Sequence, residues 1–386
     1  MSARLRSGTR VCRVSRRSAL AFLLLCNAAI AQPSTAPRFV PGSVGVSPAK
    51  IDALAQELLH KQGIPGMTLA VVDHGQMIYS YACGLADVEN NVLATPAAEI
   101  RAASIAKPMT AIAVMQLVQQ GKLDLDAPAQ RYCPAFSLKT SPDGKPWVVT
   151  TRELLSHRAA IRWHRDDTEA RNTKHYDTLG EAVKHFDEDP LQFAPGEKML
   201  YSTYGYVVVG CAIEGAAHRK FSDYMRQAVF SLSRMNATQA DDPQKLVPHR
   251  ARGYEKTKGK QLENAPFFDP SDRLPGGGWL STSEDLARFA DAVMSDKLAT
   301  SATLEEMGKP LSTREDGSGY GLGWGIGKLD GHRVVGHNGG QAGCSTLLKL
   351  VPDRQLAVAV MTNVEGADLD AFAESILKLG LSHSAA

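Results

Sequence analysis

The sequence predicts an α/β protein of the α+β type, with an antiparallel sheet built from both ends of the chain, helices flanking it, and a helical lobe inserted between. Three observations predict this. β-rich runs occupy residues 67–81 and return at 333–361. Between them, from about 104 to 310, the apolar periodicity is mainly helical. An amphipathic helix pattern lies outside each β-rich zone, as a sheet covered by helices requires.

The elements follow in order. Ser47-Pro48 reads as N-cap and first residue of a helix. Ile51, Leu54, Ala55 and Leu58 share one face of it, and Gly63 stops it. Met67–Val72 and Met77–Tyr81 are strands joined by the hairpin signal Asp73-His74-Gly75-Gln76. Met109, Ile112, Ala113, Val114 and Leu117 make a helix apolar all round, which must be buried. Thr150-Thr151-Arg152-Glu153 is a capping box. Thr282 with Asp285 starts another helix before Leu286, Phe289 and Val293. Strands return at Arg333–Gly336, Ser345–Val351 and Leu356–Met361. Leu369, Phe372, Ala373 and Ile376 form the last amphipathic helix.

The chain has 386 residues, 44% apolar and 22% charged, enough for a sizeable core. Residues 1–31 hold six Arg and no acid, which leaves 37 basic and 41 acidic side chains beyond them, a net of −4. A slightly acidic body argues against a nucleic-acid partner. The six Arg, the apolar Ala19–Leu25 and the A-x-A site Ala29-Ile30-Ala31 read as a secretory signal peptide. A mitochondrial transit peptide would share the Arg-rich, acid-poor composition; the compact apolar block favours export, secreted or periplasmic, with cleavage near Ala31. Arg16-Arg17 leaves Sec and twin-arginine export both open. Residues 32–46 read as a linker and 47–380 as the folded domain. The apolar run is too short for a membrane span. Cys83, Cys133, Cys211 and Cys344 remain after cleavage, with pairing left open.

No P-loop, complete G-x-G-x-x-G, G-x-S-x-G or H-E-x-x-H occurs, so neither a cofactor nor a metal is expected. S-x-x-K occurs twice. Ser47 is accounted for by capping. Ser104-Ile105-Ala106-Lys107 stands at the start of the all-apolar helix, where Pro108 is tolerated only near the N-terminus. That spacing puts a hydroxyl and an amine one turn apart on one face. A serine becomes a nucleophile when a neighbouring base takes its proton. A lysine is such a base only when neutral, which burial favours.

Further on lie Tyr201-Ser202-Thr203 and His337-Asn338-Gly339. With Ser104-Ile105-Ala106-Lys107 they resemble the ordered S-x-x-K, Y-x-N and [KH]-[TS]-G elements of the serine β-lactamase and penicillin-binding superfamily. Leu154-Leu155-Ser156-His157, Gly276-Gly277-Gly278-Trp279-Leu280-Ser281 and Tyr320-Gly321-Leu322-Gly323-Trp324 are similar to flanking stretches of its class C-related group. Tyr-Ser-Thr with His in the third element is closest to the mitochondrial serine β-lactamase-like subgroup, which is associated with peptidase activity. The resemblance implies an antiparallel sheet with a helical lobe. It also implies that Ser104 is the acylated nucleophile and Lys107 its proton acceptor. Tyr201 would share the proton work. His337 would stabilise a substrate carboxylate or the Tyr201 oxygen. The amides of Ser104 and Gly340 would form the oxyanion hole, and Thr203, Asn338 and Gly339 would meet substrate. His157 is assigned to structure. Thr203 stands where the family has Asn, Asn338 where it has Thr or Ser, and Arg158-Ala159-Ala160 where Thr-Ser-Gly is common. These departures disfavour efficient β-lactam hydrolysis. The expected activity is an acyl-serine hydrolase of peptide, peptidoglycan-stem, ester or β-lactam substrates. A non-catalytic member binding cell-wall or peptide ligands is the alternative. No motif sets the oligomeric state.

Overall fold

The computed structural model describes Arg38–Phe39 and residues 48–383. The expected signal peptide, most of the linker and the Ser47 cap lie outside the described residues. Ten strands form the main sheet: β1 (Arg38–Phe39), β2 (Gly66–Asp73), β3 (Gln76–Asp87), β4 (Val92–Leu93), β5 (Ser312–Thr313), β6 (Gly319–Tyr320), β7 (Gly325–Leu329), β8 (His332–Gln341), β9 (Cys344–Val351) and β10 (Leu356–Thr362). Their order is β1-β3-β2-β10-β9-β8-β7-β6-β5, with β4 beside β3. Every pairing is antiparallel, and β2 lies against β10 with Asp73 opposite Leu356. The two ends of the domain thus share the centre of one sheet. His74 and Gly75 at the β2–β3 turn both have positive φ, 45° and 79°, as a tight two-residue hairpin turn requires.

Helices cover both faces. α1 (Pro48–Gln62) and α6 (Asp370–His383) lie on one side. There Ile51, Ala55, Phe372 and Ile376 pack on Leu69, Val71 and Val360. The opposite face carries Ala70, Val72, Ala357 and Ala359, which share a core with α2 (Ala106–Gln119) and α5 (Ser283–Met294). Side chains alternate along each strand, so both faces of β2 and β10 are buried at once. Small alanines on the lobe side let α5 approach closely.

The lobe holds α2, α3 (Thr151–Leu155), α4 (Thr203–Ala217) and shorter turns. Thr150 and Glu153 form both hydrogen bonds of the capping box on α3. Thr282 caps α5 by accepting from the Asp285 amide. α2 is buried from Ala106 to Leu117. Cys133 and Cys211 form a disulfide that ties α4 to the loop before α3, and Cys83 and Cys344 are buried free thiols.

Candidate active site

The site begins at a kink. Ala103 has φ 46°, left-handed for a non-glycine residue, directly before Ser104. Residues Ala103–Ile105 form one 3-10 turn, and α2 follows from Ala106. Lys107 is completely buried. Its Nζ lies 2.9 Å from Ser104 Oγ, 2.9 Å from the Gly276 carbonyl and 3.3 Å from Thr203 Oγ1. Among the described residues no carboxylate pairs with it. Burial, then the Arg273 charge, hold Lys107 well below the usual lysine range. A neutral amine has two protons and one lone pair. Gly276 and Thr203 accept the protons, which leaves the lone pair for the Ser104 hydroxyl.

Three segments bring these partners together. The short helix Leu274–Gly277 delivers the Gly276 carbonyl and is pinned to α2 by Thr110, which donates to the Pro275 carbonyl at 2.7 Å. Arg273 anchors the same segment, donating to the Glu169 and Ala170 carbonyls and pairing with Asp272. α4 begins at Thr203, with Ser202 capping it by accepting from the Gly205 amide at 3.1 Å.

Tyr201 precedes that cap. Its hydroxyl faces Ser104, and Lys107 Nζ lies 4.8 Å from its ring centroid. Burial pushes the phenol above its usual range, outweighing the opposing influence of Ser104 and of the Arg314 charge, so it stays protonated near neutrality.

The last wall is β8. Its pairing with β7 ends at Gly325–Gly336, whereas its pairing with β9 runs on to Gln341–Cys344. Residues 337–341 therefore have one edge free of a neighbouring strand, and the Ser104 turn approaches it. At Gly339 a Cβ would come within 2.9 Å of the Ser104 nitrogen and 2.4 Å of Thr346 Oγ1. Only glycine permits that approach. Gly340 faces open space and lines, with Ser104 and Thr203, a cavity of about 220 Å³.

His337 is buried within this wall. It is 3% exposed, and its Nε2 lies 3.0 Å from the Tyr320 hydroxyl. Its Nδ1 faces the Asn338 carbonyl, and its ring centroid is 6.1 Å from that of Tyr201. Burial above all, with the Arg314 charge, depresses it well below the usual histidine range, so it is neutral. Asn338 is exposed, and with His337 it lines a separate cavity shared with Arg314 and Lys349. Thr203 both lines the nucleophile's cavity and holds Lys107.

Several neighbours carry no sequence signal of their own. Trp163 is 42% exposed, lines the Ser104 cavity and lies 5.4 Å from the Tyr201 ring. Glu365 lines the same cavity. Burial, then the Glu255 charge beside it, push Glu365 up to about 7. Gly276 and Tyr320 belong to stretches the sequence marks, and their glycines explain the marking. Gly323 has φ 84°, and a Cβ there would come within 2.5 Å of the Ala111 Cβ on α2.

Comparison with known proteins agrees with this architecture. The Beta-lactamase family model matches residues 51–380. The serine beta-lactamase-like protein LACTB, mitochondrial, of Homo sapiens is 28% identical over 429 residues, covering 83% of this chain and 78% of that protein. Protein flp of Staphylococcus aureus is 24% identical over 321 residues, 82% of this chain and 63% of flp. Among solved structures, the octameric penicillin-binding protein homologue from Pyrococcus abyssi superposes with a TM-score of 0.77 at 25% identity, covering 87% of this chain and 78% of that one. A D-stereospecific amidohydrolase from Streptomyces sp. gives 0.72 at 25% identity, covering 84% and 97%. A match that runs from α1 into α6 embraces strands β2–β10 and the inserted lobe, and on that span the chain belongs to the Beta-lactamase family as a serine hydrolase.

Proposed function

We propose that the chain is an exported hydrolase of amides and esters that works through an acyl-Ser104 intermediate. One observation carries this reading: a buried, unpaired Lys107 amine 2.9 Å from the Ser104 hydroxyl. Ser104 Oγ attacks the substrate carbonyl while its proton passes to Lys107 Nζ. The amides of Ser104 and Gly340 hold the developing oxyanion. The C–N or C–O bond then breaks, and the leaving group takes the Tyr201 phenolic proton, which the Lys107 ammonium replaces. Water hydrolyses the acyl-enzyme by the reverse proton path and restores both groups. Tyr201 serves as a proton donor because its pKa is raised, and Lys107 as the base because its pKa is lowered.

Peptides, peptidoglycan stems and esters are the proposed substrates, ahead of β-lactams. No side-chain amide stands at position 203 to hold a β-lactam side-chain carbonyl, since Thr203 is turned to Lys107. The buried Cys133–Cys211 disulfide favours an oxidising compartment and so supports export. Labelling with a fluorescent fluorophosphonate tests the chemistry: wild type is labelled and Ser104→Ala is not. Equal labelling of the two would refute the assignment.

A further inference from the structure

We infer that His157 is the positioning residue for Tyr201, clamping the backbone on both sides of it and backing its ring. This rests on the reading that Tyr201 acts on Ser104. The Leu200 amide donates to the His157 carbonyl at 2.8 Å. The Ser202 amide donates to His157 Nδ1 at 3.2 Å. The residue between them, Tyr201, lies against the imidazole with ring centroids 4.2 Å apart. One residue thus fixes the chain before Tyr201, the chain after it, and the plane of the phenol.

His157 is itself held rigidly. It is 2% exposed, and Tyr206 and Tyr320 pack around the ring at 5.3 and 4.9 Å. Its φ of 58° is left-handed, so the main chain turns back at this point and presents carbonyl and ring to the same segment. Because Nδ1 accepts, the proton of the neutral ring sits on Nε2, which has no hydrogen-bond partner. Burial above all, with the Arg314 charge, keeps the ring neutral. A buried N–H without a partner is costly, and a phenylalanine would fill the space without it. What a phenylalanine lacks is the Nδ1 acceptor, and that acceptor is spent on the residue after Tyr201. Tyr201 has to place its hydroxyl on Ser104 from a position just outside a helix cap, so the clamp acts where the geometry is least defined by secondary structure.

A double-mutant cycle with Tyr201→Phe tests this, read as single-turnover acylation per folded molecule by p-nitroacetanilide, whose anilide nitrogen must take a proton to leave. His157→Phe keeps an aromatic ring and loses the acceptor; it should slow acylation on the order of 10²-fold, the usual consequence of a misplaced reacting group. His157→Asn keeps an acceptor oxygen and tolerates left-handed φ, and should lose only about tenfold. Both losses should vanish in the Tyr201→Phe background, because His157 acts only through the lost hydroxyl. A purely structural histidine gives losses that multiply with Tyr201→Phe, and that result would overturn the inference. So would wild-type acylation in both His157 variants. If His157→Phe fails to fold, the His157→Asn cycle decides alone. Failure of the underlying reading looks different: Tyr201→Phe would acylate like wild type, or Ser104→Ala would still give a burst.

Discussion

Reduction of the Cys133–Cys211 disulfide should lower the unfolding temperature without changing the chemistry at 25 °C. The bond closes a loop of 78 residues. Chain-entropy reasoning for a loop of that size gives about 4.5 kcal/mol of stabilisation at 25 °C. A domain of this length has an unfolding entropy of roughly 0.7 kcal/mol per kelvin, so the midpoint should fall by about 6 °C. The site should be spared, because Cys211 sits in the middle of α4, whereas the catalytic contacts come from Tyr201–Thr203 at its start. The assay is near-UV circular dichroism on oxidised and dithiothreitol-reduced protein, with ester turnover measured alongside. Thiol counting checks the starting state. Cys83 and Cys344 are buried, burial pushes both thiols up to about 12, and they should react only after denaturation. Midpoints agreeing within about 1 °C would refute the loop-entropy argument.

Four further outcomes follow from the site. Acylation by wild type should rise with pH along a limb well below the ordinary lysine range, and Lys107→Arg should abolish it at every pH, since a guanidinium stays protonated; an Arg variant within tenfold of wild type refutes Lys107 as base. Lys107→Met should be inactive yet more stable at pH 7. Unfolding lets the lysine take up a proton that the fold denies it, so wild-type stability climbs as pH rises from the depressed pKa toward 10.5, and the Met variant should lose that slope in pH-dependent melts. Gly339→Ala should push β8 off the Ser104 turn and cost on the order of 10²-fold in kcat with the fold retained, read by burst kinetics against circular dichroism. Glu365 gains charge as pH rises through about 7, so KM for a cationic ester should fall across that range relative to a neutral one, and Glu365→Gln should remove the difference.

The sheet, its two flanking helices and the buried start of α2 were legible because each rests on local periodicity. The Ser104–Lys107 pair was legible for the same reason, being three residues apart on one helical turn. β8 was read short, as Arg333–Gly336, because Gly336, Asn338, Gly339 and Gly340 are poor strand formers. Pairing with β9 along its whole length overrides that preference. What orients the Lys107 amine was out of reach: the Gly276 carbonyl is 169 residues away and Thr203 is 96. The disulfide pairing and the His157 clamp are contacts of the same long-range kind. His337 was read as stabilising a substrate carboxylate or the Tyr201 oxygen; its burial beside Tyr320 keeps it neutral, a property of its three-dimensional neighbours.

The sheet's arrangement has a consequence for when this protein folds. β2 is the second strand of the main sheet to be synthesised and β10 the last, yet they are neighbours at its centre. Nearly 300 residues must leave the ribosome before that pairing can close, which makes the contact order high and folding slow. Until then α2 lacks the β2–β10 floor with which it shares a core. A nascent chain in this state has helical propensity but no way to complete its core. Under the export proposed above that delay is useful, because a chain without its final strand remains threadable through a translocation channel. A fragment ending before Cys344 should accordingly fail to fold at all, carrying an intact Ser104 and Lys107 that never meet.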